Sequence, residues 1–208
     1  TIAGLTFQNA AAALESTVQV SSPATILDSV FQDNSSNRGG AITTSSDLTV
    51  ERCIFRRNTA TGLGGGAINF GEPGNVLIIR DSYFEDNKTQ TSFTDGGAVR
   101  ATGTGLQTMI SGTTFADNIS AGDGGALSIG GSSLLLENST FIGNSAVRDG
   151  GAIEVTAPTT LANVTVAGNL ADADSSGAGD GGGISKLGNN DVTVRNSLIA
   201  GNFDSGGE

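Results

Sequence analysis

The sequence predicts an all-β chain folded as a right-handed parallel β-helix of about seven to eight coils. Three observations carry that expectation. A glycine motif returns six times, as "RGGAI", "GGGAI", "DGGAV", "DGGAL", "DGGAI" and "DGGGI". A second motif, an apolar anchor followed by two variable residues and Asn, alternates with it. Around both motifs apolar residues recur with period two, the signature of strands with one buried face.

The anchors run in order through the chain. Phe7 opens a degenerate copy, "FQNA", and full copies follow at Phe31, Phe55, Phe84, Phe115, Phe141, Val166 and Ile199. Their spacings are 24, 24, 29, 31, 26, 25 and 33 residues. Before each anchor lies one predicted strand, as in Leu48 and Val50 before Phe55 or Leu134 and Leu136 before Phe141. After each glycine motif lies another, as in Ile68 and Phe70 or Ile153 and Val155. A third strand is expected at the anchor itself. A unit of this size cannot bury its own apolar face, so the units must stack. Each inward Ile, Leu or Phe then contributes about 1.5–3 kcal/mol. At about 4.8 Å per coil the rod is roughly 35 Å long. Residues 1–208 read as one domain, with 1–23 an irregular first coil or partial cap and 24–208 regular coils.

Composition narrows the function classes. The chain has 208 residues, 21 Asp plus Glu against 10 Lys plus Arg, and 32 Gly. The acidic balance disfavours nucleic acid and anionic membranes, which need clustered cations. There is no His, which removes the commonest general base and metal ligand. No apolar run is long enough for a transmembrane helix. No signal-peptide pattern is present, as expected of a mature or excised piece. The last residues, "FDSGGE", stop where a further glycine motif would complete, with no recognisable cap. An open coil presents unpaired strand edges. End-to-end self-association in a non-closing contact is therefore an expectation alongside continuation into a longer β-helix.

GGA[ILV] paired with FxxN resembles the repeat of the polymorphic outer membrane proteins of chlamydiae and of related bacterial β-helix surface proteins. The resemblance covers about residues 24 to 207. It implies the passenger or stalk of a secreted, cell-surface protein, often an autotransporter or adhesin, with protein partners. The chain differs from that family in having a single cysteine and no C-terminal membrane barrel.

Each repeated residue has a structural reading beside a chemical one. The glycines suit tight corners where coils approach too closely for side chains. None of the six motifs continues into the Lys–Ser/Thr of a phosphate loop. The Asn residues are expected to accept αL geometry and to stack as an amide ladder. Cys53 stands where other coils have Ser29, Ser82, Ser139 and Ser197, a small buried position.

The acidic residues are the candidate ligands. Asp95, Asp123, Asp149 and Asp180 share one repeat position, where earlier coils have Arg38 and Gly64. Stacked about 5 Å apart, two carboxylates repel by roughly 0.8 kcal/mol in water and about 3 kcal/mol at a dielectric near 20. Glycine amides, caps on each residue's own turn, or a shared row of Ca²⁺ ions would each relieve this. The longest insertion, residues 170 to 180, places Asp172, Asp174, Ser176, Gly177 and Asp180 at the spacing of an EF-hand loop. Gly183 stands where the bidentate Glu belongs. Calcium is thus the one candidate cofactor. No catalytic residue is assigned. The rival class is a polysaccharide lyase or glycoside hydrolase, because pectin-degrading enzymes share the fold. Asp33, Asp86 and Asp117 align beside the Asn row, but they recur with the repeat, and Tyr83 offers no sugar platform.

Overall fold

The computed structural model describes residues 1–12, 16–92, 94–131, 133–177 and 179–205. The chain is a parallel β-helix with no helical element among these residues. One coil shows the plan. Leu48–Glu51 lies in a first sheet, Ile54–Arg56 in a second, Thr59–Leu63 in a third and Ile68–Phe70 in a fourth. The first three sheets hold eight strands each and the fourth holds seven, and every neighbouring pair is parallel and one repeat apart. The strands of residues 1–20 occupy the first edge of all four sheets.

Four strands per coil exceed the three that alternation suggests. The extra strand follows the Asn and is short, often two residues such as Lys88–Thr89 or Ser145–Ala146. It buries Ser, Thr or Ala instead of a large apolar side chain, so no alternation marks it.

The core is a set of vertical columns. Phe7, Phe31, Phe55, Phe84, Phe115 and Phe141 stack with ring centroids 4.6–4.9 Å apart and planes within 13°. Val166 and Ile199 continue the column. Beside it stand Ile26, Val50, Ile79, Ile110, Leu136 and Leu161, all essentially inaccessible.

The Asn residues form the expected ladder. Asn118 Nδ2 donates to Asn144 Oδ1 at 2.9 Å and to the Phe84 carbonyl at 3.0 Å. Its backbone N–H donates to the same Asn144 Oδ1. The pattern repeats from Asn34 to Asn202. The αL expectation moves by one residue. The left-handed positions are Asp33, Arg57, Asp86, Asp117, Gly143, Gly168 and Gly201, each just before the Asn. The Asn itself is extended into the core, where its amide bridges coils. Arginine is an unusual αL residue. Arg57 is held there by Asp33 of the preceding coil, at 2.7 and 2.8 Å, and Arg52 by Asp28 in the same way.

The glycine motif is a corner. Its first glycine takes φ of +63° at Gly124 and +66° at Gly150. Its second has no room for a side chain: a Cβ on Gly125 would lie 2.0 Å from the Gly151 carbonyl oxygen of the next coil. Substitution should therefore separate the two roles. Gly125→Ala is expected to prevent folding or cost more than about 3 kcal/mol. Gly168→Ala, with φ +65° and nothing within 4 Å, should cost only about 1–2 kcal/mol. Asn118→Ala strands several buried partners and should cost roughly 3–5 kcal/mol. Urea denaturation of the three variants checks the order.

Candidate functional site

The corner between the third and fourth sheets brings the repeated aspartates together. Asp95 Oδ1 accepts from the Asp123 backbone N–H at 3.1 Å, and Asp123 Oδ1 accepts from Asp149 N–H at 3.1 Å. Asp149 Oδ1 accepts from Asp180 N–H at 2.8 Å. Each carboxylate thus caps the next coil, not its own turn. The compensating donors are aspartate amides, because the glycine amides of the motif already bond to the next coil's carbonyls. Arg148 adds positive charge between two members of the row, 2.7 Å from Asp123 Oδ2 and 3.6 Å from Asp95 Oδ1. Arg100 lies 4.0 Å from Asp95.

The long insertion has a different arrangement. Asp172 is fully buried with φ +49°. Its Oδ1 accepts from the Ser176 N–H and hydroxyl, each at 3.0 Å, and its Oδ2 accepts from Gly177 N–H at 2.9 Å. Asp174 also accepts from Ser176 N–H. These are Asx-type turn bonds, which account for the Asp, Ser and Gly spacing without a helix–loop–helix frame. Asp180 belongs to the corner row. Among the described residues, no three His, Cys, Asp or Glu side chains gather in a metal-holding group.

On the flank of the rod, Asp33, Arg57, Asp86, Lys88 and Ile119 line an open depression of about 480 Å³. Asp33 and Asp86 are two coils apart, roughly 10 Å. Arg57 stands on the coil between them and is paired to Asp33. The bond holds the Asp33 carboxyl below the ordinary aspartate value. Burial, then the nearby Asp86 and Glu85 charges, pushes the Asp117 carboxyl up. A guanidinium therefore occupies the interval that a glycosidic bond and a water would need between two acids. Cys53 is buried, donates its backbone N–H to Ser82 Oγ at 3.1 Å and donates its thiol to the Glu51 carbonyl. Burial pushes the thiol up, away from the reactive thiolate.

The alternation of the sequence does not reveal Glu154. It sits between Ile153 and Val155 on the outer side of the fourth sheet, in register with Ser128 and Ser185. Yet it is only 6% exposed, and its Oε2 accepts from Ser128 Oγ at 2.9 Å. Burial pushes its carboxyl up to about 7, with the charges of Asp123, Asp95 and Asp149 adding to the effect. Asp123 and Asp149 are raised in the same direction, chiefly by burial. A signal was present in the sequence: the corner row places three carboxylates beside that strand. A raised carboxyl pKa means that the folded state holds a proton the unfolded chain has released. The stability it confers is complete below the unfolded value and is lost as pH rises through about 7. Stability should fall by on the order of 3 kcal/mol between pH 4.5 and 7.5. Glu154→Gln should flatten that decline and melt higher than wild type above pH 7. Thermal melts across this range check both.

Three segments match the family model of the Chlamydia polymorphic membrane protein repeat: residues 28–45, 112–130 and 138–156. Each spans one anchor–Asn motif and the glycine motif after it. Comparison with curated proteins and with solved structures finds no match. No helix among the described residues is long and apolar enough to cross a membrane. The three matched segments fall on the same part of three coils, and there the chain is similar to the Chlamydia polymorphic membrane protein repeat.

Proposed function

We propose that the chain is an extracellular, cell-surface structural module of a bacterium, the stalk or passenger segment of an adhesin-like protein. The observation that carries this reading is the unbroken register of the Phe and Asn columns from one end of the rod to the other. A continuous column makes a stiff spacer, and its acidic surface, with formal charge −11, keeps it soluble and apart from anionic membranes. The repeat match supports a surface setting of the outer-membrane, autotransporter type. The flank depression, with Arg57 between its carboxylates, favours this structural role over lyase or hydrolase chemistry.

A specific observation favours a second element of the reading, end-to-end stacking. In the final coil Val194, Leu198, Ile199 and Phe203 are 45–65% exposed; Val194 and Ile199 stand at inward positions, and their counterparts one coil earlier, Leu161 and Val166, are buried. A following coil or a second copy of the chain would cover them.

Small-angle scattering is expected to show an elongated particle. Antibody labelling of intact cells should detect the module at the surface; labelling only after lysis would overturn the surface reading. Light scattering should show mass growing with concentration, and Ile199→Asp with Phe203→Asp should hold the chain monomeric. A monomer at every concentration in the unmodified chain would remove stacking and leave the stalk.

A further inference from the structure

We propose that the trough on the outer face of the fourth sheet, near its first strands, binds an acidic oligosaccharide. Its floor is a column of outward residues paired in register: Gln19, Thr43, Asn69 and Arg100. Arg38 stands on one wall and Glu72 on the other, and the space between is about 360 Å³.

Three features point to a ligand of this chemistry. The first is local charge. In a chain of formal charge −11, this trough is lined by two guanidiniums and one carboxylate. Arg38 is exposed and forms no ion pair among the described residues, and Arg100 has only the long 4.0 Å contact to Asp95. An anion entering here meets donors that the protein itself has not consumed. The second is Asn69. Its Oδ1 is buried yet accepts no hydrogen bond, an arrangement that costs about 1–3 kcal/mol unless a partner arrives. Gly64 makes room for that side chain: a Cβ there would come within 2.7 Å of it. Turned outward into the trough, the Asn69 amide would meet a ligand hydroxyl, the donor this oxygen lacks.

The third is the floor itself. Gln19 supplies both an amide donor and an acceptor. The Thr43 hydroxyl already donates to the Arg38 carbonyl at 2.7 Å, so toward a ligand it is an acceptor. Closely spaced donors and acceptors, one coil step of about 4.8 Å apart, suit a chain of hydroxyl groups. The guanidiniums suit a carboxylate on the same molecule. An acidic sugar carries both, whereas an apolar peptide would leave these polar groups unpaired.

The inference goes beyond the surface-rod reading and fails separately from it, since a rod without this site remains elongated. The test uses the full chain and calorimetric titration with trigalacturonate, the neutral maltotriose and an acidic tripeptide. Trigalacturonate is expected to bind, at least about tenfold more tightly than either control, and to weaken with added salt. Arg38→Gln, at an exposed side chain, should weaken it by about tenfold, and Arg38→Gln with Arg100→Gln should abolish it. Asn69→Leu should weaken the acidic sugar while leaving the thermal melt near that of wild type. No heat from trigalacturonate at about 10 mM, equal binding of maltotriose or of the tripeptide, or unchanged affinity in Arg38→Gln would each overturn the proposal.

Discussion

The approach of one coil to the next governs this molecule. Parallel strands lie about 4.8 Å apart, so every residue touches its own counterpart one repeat away. The ring centroids of the Phe column, 4.6–4.9 Å apart, are that spacing expressed in side chains. The choice at each position is then made by its copies. A buried Asn amide finds donors and acceptors because another amide lies above and below it. A corner glycine stays glycine because the next corner's carbonyl fills the space of a Cβ. Burial, hydrogen bonding and backbone conformation are solved once and then reused.

Reuse has an electrostatic cost. A repeated acid must stack on itself, and the corner row does so at Asp95, Asp123, Asp149 and Asp180. Backbone amides of the following coil absorb one oxygen of each of the first three, and Arg148 bridges two of them. Glu154 has no such relief beyond a serine hydroxyl, and it holds its proton instead. At the other corners of the coil the array breaks the repetition: Arg52 and Arg57 replace acids in the αL turns and pair with Asp28 and Asp33. The irregular residues of a repeat array are thus where its charge problems are managed.

Much of this was legible in the sequence because register turns spacing into proximity. The anchor column, the amide ladder, the glycine corners and the buried Cys53 position all follow from residues that recur with the motifs. The third-sheet strand was not legible, because Ser36, Thr89 and Ala146 fill it without apolar alternation. The αL residue was misplaced by one, since both Asn and the Asp or Gly before it tolerate that region, and only the inward amide decides between them. The EF-hand-like spacing at Asp172 also forms an Asx turn, because short acids beside glycine serve both purposes. Glu154 and the Gln19–Arg100 trough were hidden for a shared reason. They occupy an outward position that repeats in place but not in residue type.

The amide ladder also has a direction. From Asn34 to Asn169, each Asn donates both its side-chain and its backbone N–H to the carbonyl oxygen of the next, so all these bonds point the same way along the rod. An interior coil is bonded on two sides, and an end coil on one. Under tension the rod therefore yields from its ends, one coil at a time, while the remainder keeps its column intact. A coil of 24 residues released into an extended chain adds about 80 Å, a step that single-molecule pulling resolves. A rod built this way is short and stiff at rest, and it lengthens in discrete increments when loaded.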